Sequence, residues 1–450
     1  MKFLNKQFTQ ETLKLALPVM LTQVGQVSVN LFDNIIVGKL LGAKALAAVS
    51  LGNAMFFSIF IFGLGFSLAI PPLVSEAHSQ HNHNRINSIF RHGFVVNIIL
   101  AFVLMLLIFG IIPLMPYLNQ PKEILPDTIT FLSIVTLSII PFMIFQTMRE
   151  VSEGLSFTIG VTKATIFANV INVILNYVFI EHFKMGVAGS AWATFIARVA
   201  MMVFLYYVLI KEEKTRRYIK DFSLKIKDFT KEMFEKLIRL GFPTALQLFF
   251  EVTAFAGAAF ICGLISAKDI AAHQIALSMA SFTFNLCVGF SVASTVMIGR
   301  KLGEKDFVNL EKVGFNNLKI AFIFMLMCGL VFILGKDVLP TFFTKKEDIA
   351  VVELASQLMI IAALFQLSDG IQVTALGCLR GIQDVKIPSI LTFIAYWVIT
   401  IPLGYYLTVP MKMGAFGMWI ALGIGLTISA VLLVIRFRNL SEKRIKAQSN

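Results

Sequence analysis

The chain has 450 residues, 57% of them hydrophobic and 14% charged, and its mean hydropathy is +0.80. A soluble globule carries about a quarter charged residues, and apolar runs of about twenty residues recur along this whole chain, so the composition excludes a soluble enzyme and a lone membrane anchor. The formal net charge of +13 invites a nucleic-acid reading, but the way the charges alternate between segments points to membrane topology instead.

The stretch from Met1 to Glu11 is polar, shows no small-residue cleavage site and leads into a first predicted span at 12–38, so no cleaved signal peptide is expected. Gln23, Gln26, Asn30 and Asp33 recur at steps of three, four and three within that span and share one helix face. Such a stripe is costly against lipid and must face protein or water. Further spans are predicted at 45–75, 89–113 and 126–149, with Gly63 and Gly65 inside the second. These glycines read as close-packing positions or as a hinge. His78, His81 and His83 follow the second span; a metal site is conceivable there, but acids or cysteines at supporting spacings are missing, and a solvated loop is expected. The fifth span, 156–181, places Asn172 and Asn176 on one face, and the sixth, 187–210, carries Thr194 and a lone Arg198. Asp33, Asn172, Asn176 and Thr194 would make an oxygen-rich nest for Na⁺ or a carboxyl that titrates; the alternative is a polar network that only holds the helices together.

Residues 211–239 form the only long polar stretch, rich in Lys and Arg, with Phe222, Leu224, Ile226, Phe229, Met233, Phe234 and Leu237 interspersed. It reads as an amphipathic helix on the inner leaflet or as a plain tether.

The second set of spans is predicted at 240–264, 269–299, 315–337, 350–378, 386–408 and 414–437. Glu251 lies between Phe250 and Val252 in an apolar run, and Asp369 has Gln366 and Gln372 three residues to either side. Two acids at bilayer depth that face one another can hold a proton near neutral pH or be ionised by a cation, which is what an ion-coupled carrier requires. His273 reads as a satisfied interior histidine, and Gln274 as a possible cavity residue. Gly289 and Pro402 again read as packing or bend positions. Cys262, Cys287, Cys328 and Cys378 lie in apolar spans without zinc or redox spacing, so buried inert thiols are expected. Phosphate-cradling loops and metalloprotease or hydrolase signatures are missing, so the chain reads as no enzyme and no ATPase.

The two sets repeat one another. Leu17-Pro18 falls on Phe242-Pro243, Gly65-Phe66-Ser67 on Gly289-Phe290-Ser291, Ile144-Phe145-Gln146 on Leu364-Phe365-Gln366, and Lys184-Met185-Gly186 on Lys412-Met413-Gly414. On this register Glu251 replaces Gln26, and Asp369 falls on Arg149. A duplicated apolar chain of this kind reads as a two-lobed transporter: lobe one at 1–210, a cytoplasmic linker at 211–239 and lobe two at 240–450. If the first span runs from inside to outside, 29 of the 39 Lys and Arg residues fall in inner segments and nine in outer ones. That bias places both termini in the cytoplasm.

Leu17-Pro18, Phe32-Asp33 with Gly38, the run Leu248 to Thr253 around Glu251, Ala272-His273-Gln274 with Ala276-Leu277, and Asp369 with Gly377-x-Leu379-Arg380-Gly381 together resemble the multidrug and toxic compound extrusion family, and within it the bacterial NorM-like branch. The resemblance covers nearly the whole chain. It implies an all-α integral membrane fold of twelve helices in two pseudo-symmetric six-helix bundles around a central cleft, in the bacterial inner membrane. It also implies export of organic cations or amphipathic drugs in exchange for Na⁺ or H⁺, with no cofactor beyond the coupling ion, lipid as the only other partner, no nucleic acid, and a monomeric state. On this resemblance cation coupling falls on Glu251 and Asp369, the candidate Na⁺ ligands, and on Asp33, Asn172, Asn176 and Thr194. Substrate contacts fall on Asp33, Gln26, Asn53, Gln274 and Asp348. Some relatives carry a tyrosine one turn before the second-lobe aspartate, where this chain has Phe365. A lipid-linked precursor flippase of the same broad superfamily is the alternative, although cationic cleft residues and extra helices would be expected of it. A non-transporting scaffold is disfavoured by the buried acids.

Overall fold

A computed structural model describes residues 4–117, 121–225, 228–343 and 349–449. Among the described residues the secondary structure is helical, without strands. The first half contains α1 (Lys6–Leu41), α2 (Ala43–Ser67), α3 (Ile70–Ser79), α4 (His83–Ile111), α5 (Leu125–Leu137), α6 (Ile139–Gly154), α7 (Thr158–Tyr177) and α8 (Gly186–Lys211). A short α9 (Glu213–Lys220) follows, and then α10 (Lys231–Gly263), α11 (Ala267–Gly303), α12 (Phe307–Leu334), α13 (Ile349–Gly381), α14 (Lys386–Phe393), α15 (Ile401–Thr408) and α16 (Gly414–Ser449). Eleven of these helices or joined helices are long and apolar enough to cross a membrane, and α5 with α6, bent by 42° at Ser138, makes a twelfth. Each of the twelve predicted spans has its counterpart. The protein is a multi-pass membrane protein.

The duplication survives in backbone conformation. The six non-glycine residues with positive φ fall into three repeat-related pairs: His81 and Lys305, Ser156 and Gln383, Lys184 and Lys412. The first two pairs end helices in the same way. Asn82 N–H reaches Ala77 O as Asp306 N–H reaches Lys301 O, and Phe157 N–H reaches Ser152 O as Asp384 N–H reaches Leu379 O. This is the Schellman closure, which forces one residue into the left-handed region. Side chains of Asn82 and Asp306 then cap the next helix. The matched ends also correct one sequence register. With Ser156 on Gln383, Asp369 falls on Phe142, not on Arg149, because α13 runs unbroken where the first half bends at Ser138.

Two compact units emerge, Leu21–Ala245 and Met1–Met20 with Leu246–Asn450. The divisions fall inside α1 and α10, each after the second residue beyond the matching Pro18 and Pro243. The start of α1 therefore packs with the second half, and the start of α10 with the first, where the sequence division kept residues 1–20 in lobe one and began lobe two at 240. Gly65 meets Ala245, and Gly289 meets Ala16 O, at distances that leave no room for a β-carbon. Both glycines thus serve close packing. Thr12 donates to Asn317 Oδ1 at 2.6 Å, and Arg300 pairs with Glu11 at 2.9 Å.

The described residues of the polar stretch after α8 dock onto α4; Ile226 and Lys227 lie outside the described residues. His83 Nδ1 lies 2.8 Å from Tyr218 Oη, and His92 Nε2 accepts from the Thr230 backbone N–H at 2.9 Å. Arg91 pairs with Asp228 at 3.1 Å, and Phe222 packs on Phe90 and Phe94. The stretch belongs to the Leu21–Ala245 unit. His81 ends its helix and His83 meets Tyr218; no group of three potential metal ligands occurs among the described residues.

Candidate functional site

In the Leu21–Ala245 unit, α1 presents Asp33 to α7. Asn176 Nδ2 donates to Asp33 Oδ1 at 2.7 Å and lies 3.2 Å from Asn172 Oδ1. All three residues are buried. Their i,i+4 spacing puts both asparagines on one face of α7, so one amide group can address the acid and its own neighbour. Thr194, on α8, is half-buried, and no hydrogen bond joins it to this trio among the described residues. Arg198, one turn further on, donates to Ser138 Oγ at 2.6 Å, stacks over Phe56 and Phe142 at 4.7 and 5.1 Å, and reaches Asp33 with its charge. The sequence located Arg198 inside a span without assigning it a partner. Of the rest of the α1 stripe, Gln23 is buried with its Oε1 unpartnered among the described residues, Gln26 is half-buried and Asn30 is exposed. Asn53 is half-buried on α2.

In the other unit, α10 carries Glu251 and α13 carries Asp369, both buried, and their charges act on one another. The charge of Arg380, at the end of α13, also reaches Glu251. Gln366 is fully buried, and neither of its amide atoms finds a partner among the described residues; the Nε2 atom of Gln372 is equally unpartnered there, whereas the Gln247 side chain hydrogen-bonds Glu251. Unsatisfied polar atoms in the interior are costly, and Gln366 and Gln372 lie three residues to either side of Asp369 on α13.

The sequence reading missed Tyr396, which is fully buried. Its hydroxyl donates to Gln372 Oε1 at 3.0 Å and stands 3.5 Å from Glu251 Oε1. The local fold explains its placement. Pro402 has no N–H to give the preceding turn, and the helix widens into a π segment over Ile394–Thr400. Thr400 Oγ1 donates to Ala395 O inside the widened turn, and Trp397 Nε1 donates to Phe250 O on α10. Two consecutive side chains, Tyr396 and Trp397, thereby grip α10 around Glu251. Phe365 packs in an aromatic group with Phe255 and Trp419 and supplies no oxygen.

His273 is fully buried, but both of its ring nitrogens lack a partner among the described residues, so the expectation of a satisfied interior histidine fails. Its ring lies 5.9 Å from that of Trp419. Gln274 is exposed, and Asp348 lies outside the described residues.

The MatE family model matches this chain twice, over residues 18–178 and 243–406, in agreement with the repeat. The multidrug resistance protein NorM of Photobacterium profundum is 31% identical over 96% of this chain and 95% of its own length. The probable multidrug resistance protein NorM of Agrobacterium fabrum is 33% identical over 97% and 94%. Among solved structures, a MOP superfamily transporter from Pyrococcus furiosus, described as having a binding pocket of reverse polarity, superimposes with a TM-score of 0.89 at 20% identity, covering 97% of this chain and 96% of that one. An outward-facing multidrug resistance MATE family transporter gives 0.88 at the same identity and coverage. Fold and sequence agree: this chain belongs to the MatE family of membrane transporters, in its bacterial NorM-like branch.

Proposed function

We propose that the protein is a secondary active multidrug efflux antiporter of the bacterial inner membrane, with both termini in the cytoplasm. It exports organic cations or amphipathic drugs in exchange for Na⁺ or H⁺ and works as a monomer in lipid. The observation that carries this reading is the buried pair Glu251 and Asp369, set among unpartnered amides in one helical unit. A cation or proton that joins the pair lowers the cost of burying two like charges, so occupied and empty forms favour different packings of the unit. Asp33 with Asn172 and Asn176 is the second candidate for cation or cationic drug. Gln26, Asn53, Gln274 and Asp348 are proposed substrate contacts, and Thr194 a further oxygen for the first-unit site. The transport cycle is alternating access by movement of two duplicated bundles.

The test uses purified protein in liposomes loaded with a fluorescent organic cation. An imposed Na⁺ or pH gradient drives efflux in the wild type, and Glu251→Gln together with Asp369→Asn abolishes it while substrate binding persists. Gradient-driven efflux in the double variant at equal protein level removes the pair as the coupling centre.

A further inference from the structure

We propose that the Tyr396 hydroxyl is the third oxygen of the Glu251–Asp369 site, that Gln372 holds its proton away from the ion, and that this arrangement makes the site selective for Na⁺ over H⁺. The inference rests on the reading of the two acids as the coupling site.

The geometry is specific. A phenol has one proton to donate and lone pairs to offer. At 3.0 Å, Gln372 Oε1 is at normal hydrogen-bonding distance; at 3.5 Å, Glu251 Oε1 is at the far limit. The proton therefore goes to the amide, and the phenol oxygen turns its lone pairs toward the carboxylate. Two oxygens sharing a proton approach to about 2.5–3.0 Å. Two oxygens on adjacent corners of an octahedron around a hard cation, each at ~2.4 Å from it, stand ~3.4 Å apart. The Tyr396–Glu251 separation of 3.5 Å fits the second arrangement. Gln372 is itself buried, so its acceptor has no water to turn to and keeps the hydroxyl oriented. The ring is fixed by Phe255 at 5.8 Å, and the backbone beneath it by the Trp397 bond to Phe250 O. The hydroxyl thus arrives pre-oriented from the π segment, where Phe365 on α13 offers only carbon.

A proton needs none of this, because either carboxylate can carry it alone. Removing the phenol oxygen should therefore separate the two ions. Tyr396→Phe conserves the ring and removes one oxygen; Gln372→Leu frees the phenol proton to turn onto Glu251. The experiment measures ethidium efflux from proteoliposomes under a Na⁺ gradient at equal pH, and separately under a pH gradient without Na⁺. We expect both variants to raise the half-saturating Na⁺ concentration about tenfold or more while pH-driven efflux stays within about twofold of wild type. An unchanged Na⁺ dependence in Tyr396→Phe overturns the proposal, as does an equal loss of both drives, which marks a purely structural tyrosine. Wild-type protein driven by pH but never by Na⁺ overturns it as well. In each of these cases the Glu251→Gln, Asp369→Asn variant, run alongside, reports separately on whether the acids couple efflux at all.

Discussion

A β-carbon on Gly65 would sit 2.5 Å from Ala245 Cα, and one on its repeat mate Gly289 would sit 2.8 Å from Ala16 O. Each glycine is the point at which one helix lets another backbone approach. The obstruction is backbone in both cases, so no side-chain rotation relieves it. Gly65→Val and Gly289→Val should each lower stability by about 1–3 kcal/mol, read as a lower melting temperature and a smaller monodisperse fraction in detergent. Gly110→Ala, in open space on α4, is the control and should leave both unchanged or slightly improved.

Asp33 accepts from Asn176 at 2.7 Å, and the same amide group lies near Asn172. Asp33→Asn should lower drug resistance with little change in expression, because amide replaces carboxylate at constant volume. Asn176→Leu should cost both resistance and stability, the latter by about 1–3 kcal/mol, since it leaves Asp33 buried without its donor. Resistance unchanged in Asp33→Asn cells at equal protein level would return this cluster to a purely structural role.

Pro402 should act at a distance from its own side chain. Pro402→Ala restores an N–H and permits a regular helix through Ile394–Thr400. The expected result is a more heat-resistant protein with weaker Na⁺ stimulation of efflux, because Tyr396 and Trp397 rotate away from α10. A variant with normal Na⁺ response would show that the widened turn is not needed to present the hydroxyl.

The segment from Glu213 to Thr230 should resist proteolysis in the wild type. His92→Leu leaves the Thr230 N–H without its acceptor and should cost about 1–2 kcal/mol locally. Limited trypsin digestion, with cleavage mapped to Arg216, Arg217 and Lys220, reads the loosening. Equal cleavage rates in wild type and variant would mean that the docked arrangement is not maintained in solution. Labelling of single cysteines in this segment should require permeabilised cells, as its Lys and Arg excess predicts.

The twelve spans were legible because hydropathy alone fixes their number and approximate ends. The pairing of Asp33 with Asn172 and Asn176 was legible because helical periodicity places the two amides on one face. Other features followed signals that periodicity does not carry. Tyr396 was invisible because Pro402 changes the helical repeat upstream of itself, and a 3.6-residue pattern points the ring elsewhere. The exchange of helix starts at Pro18 and Pro243 was hidden because duplicated helices present the same apolar pattern to either half. The register of Asp369 went astray because short matches such as Phe145-Gln146 on Phe365-Gln366 cannot reveal that one copy bends at Ser138 while the other runs straight. Ser156, Gln383 and Lys184 gave no warning of left-handed backbone, since none of them is a glycine.

Asp33 stands fifteen residues beyond Pro18, and Glu251 only eight beyond the matching Pro243. At 1.5 Å per residue these are about 22 and 12 Å of helix, against a hydrocarbon layer of about 30 Å. Measured along its own helix, the first acid therefore lies about 10 Å further from its proline than the second does. Membrane voltage acts on a charge in proportion to the share crossed. The duplication repeats one helix frame, and a seven-residue offset of one carboxylate along it would give two cation sites unequal electrical depth, so membrane potential is expected to weight their occupancies differently.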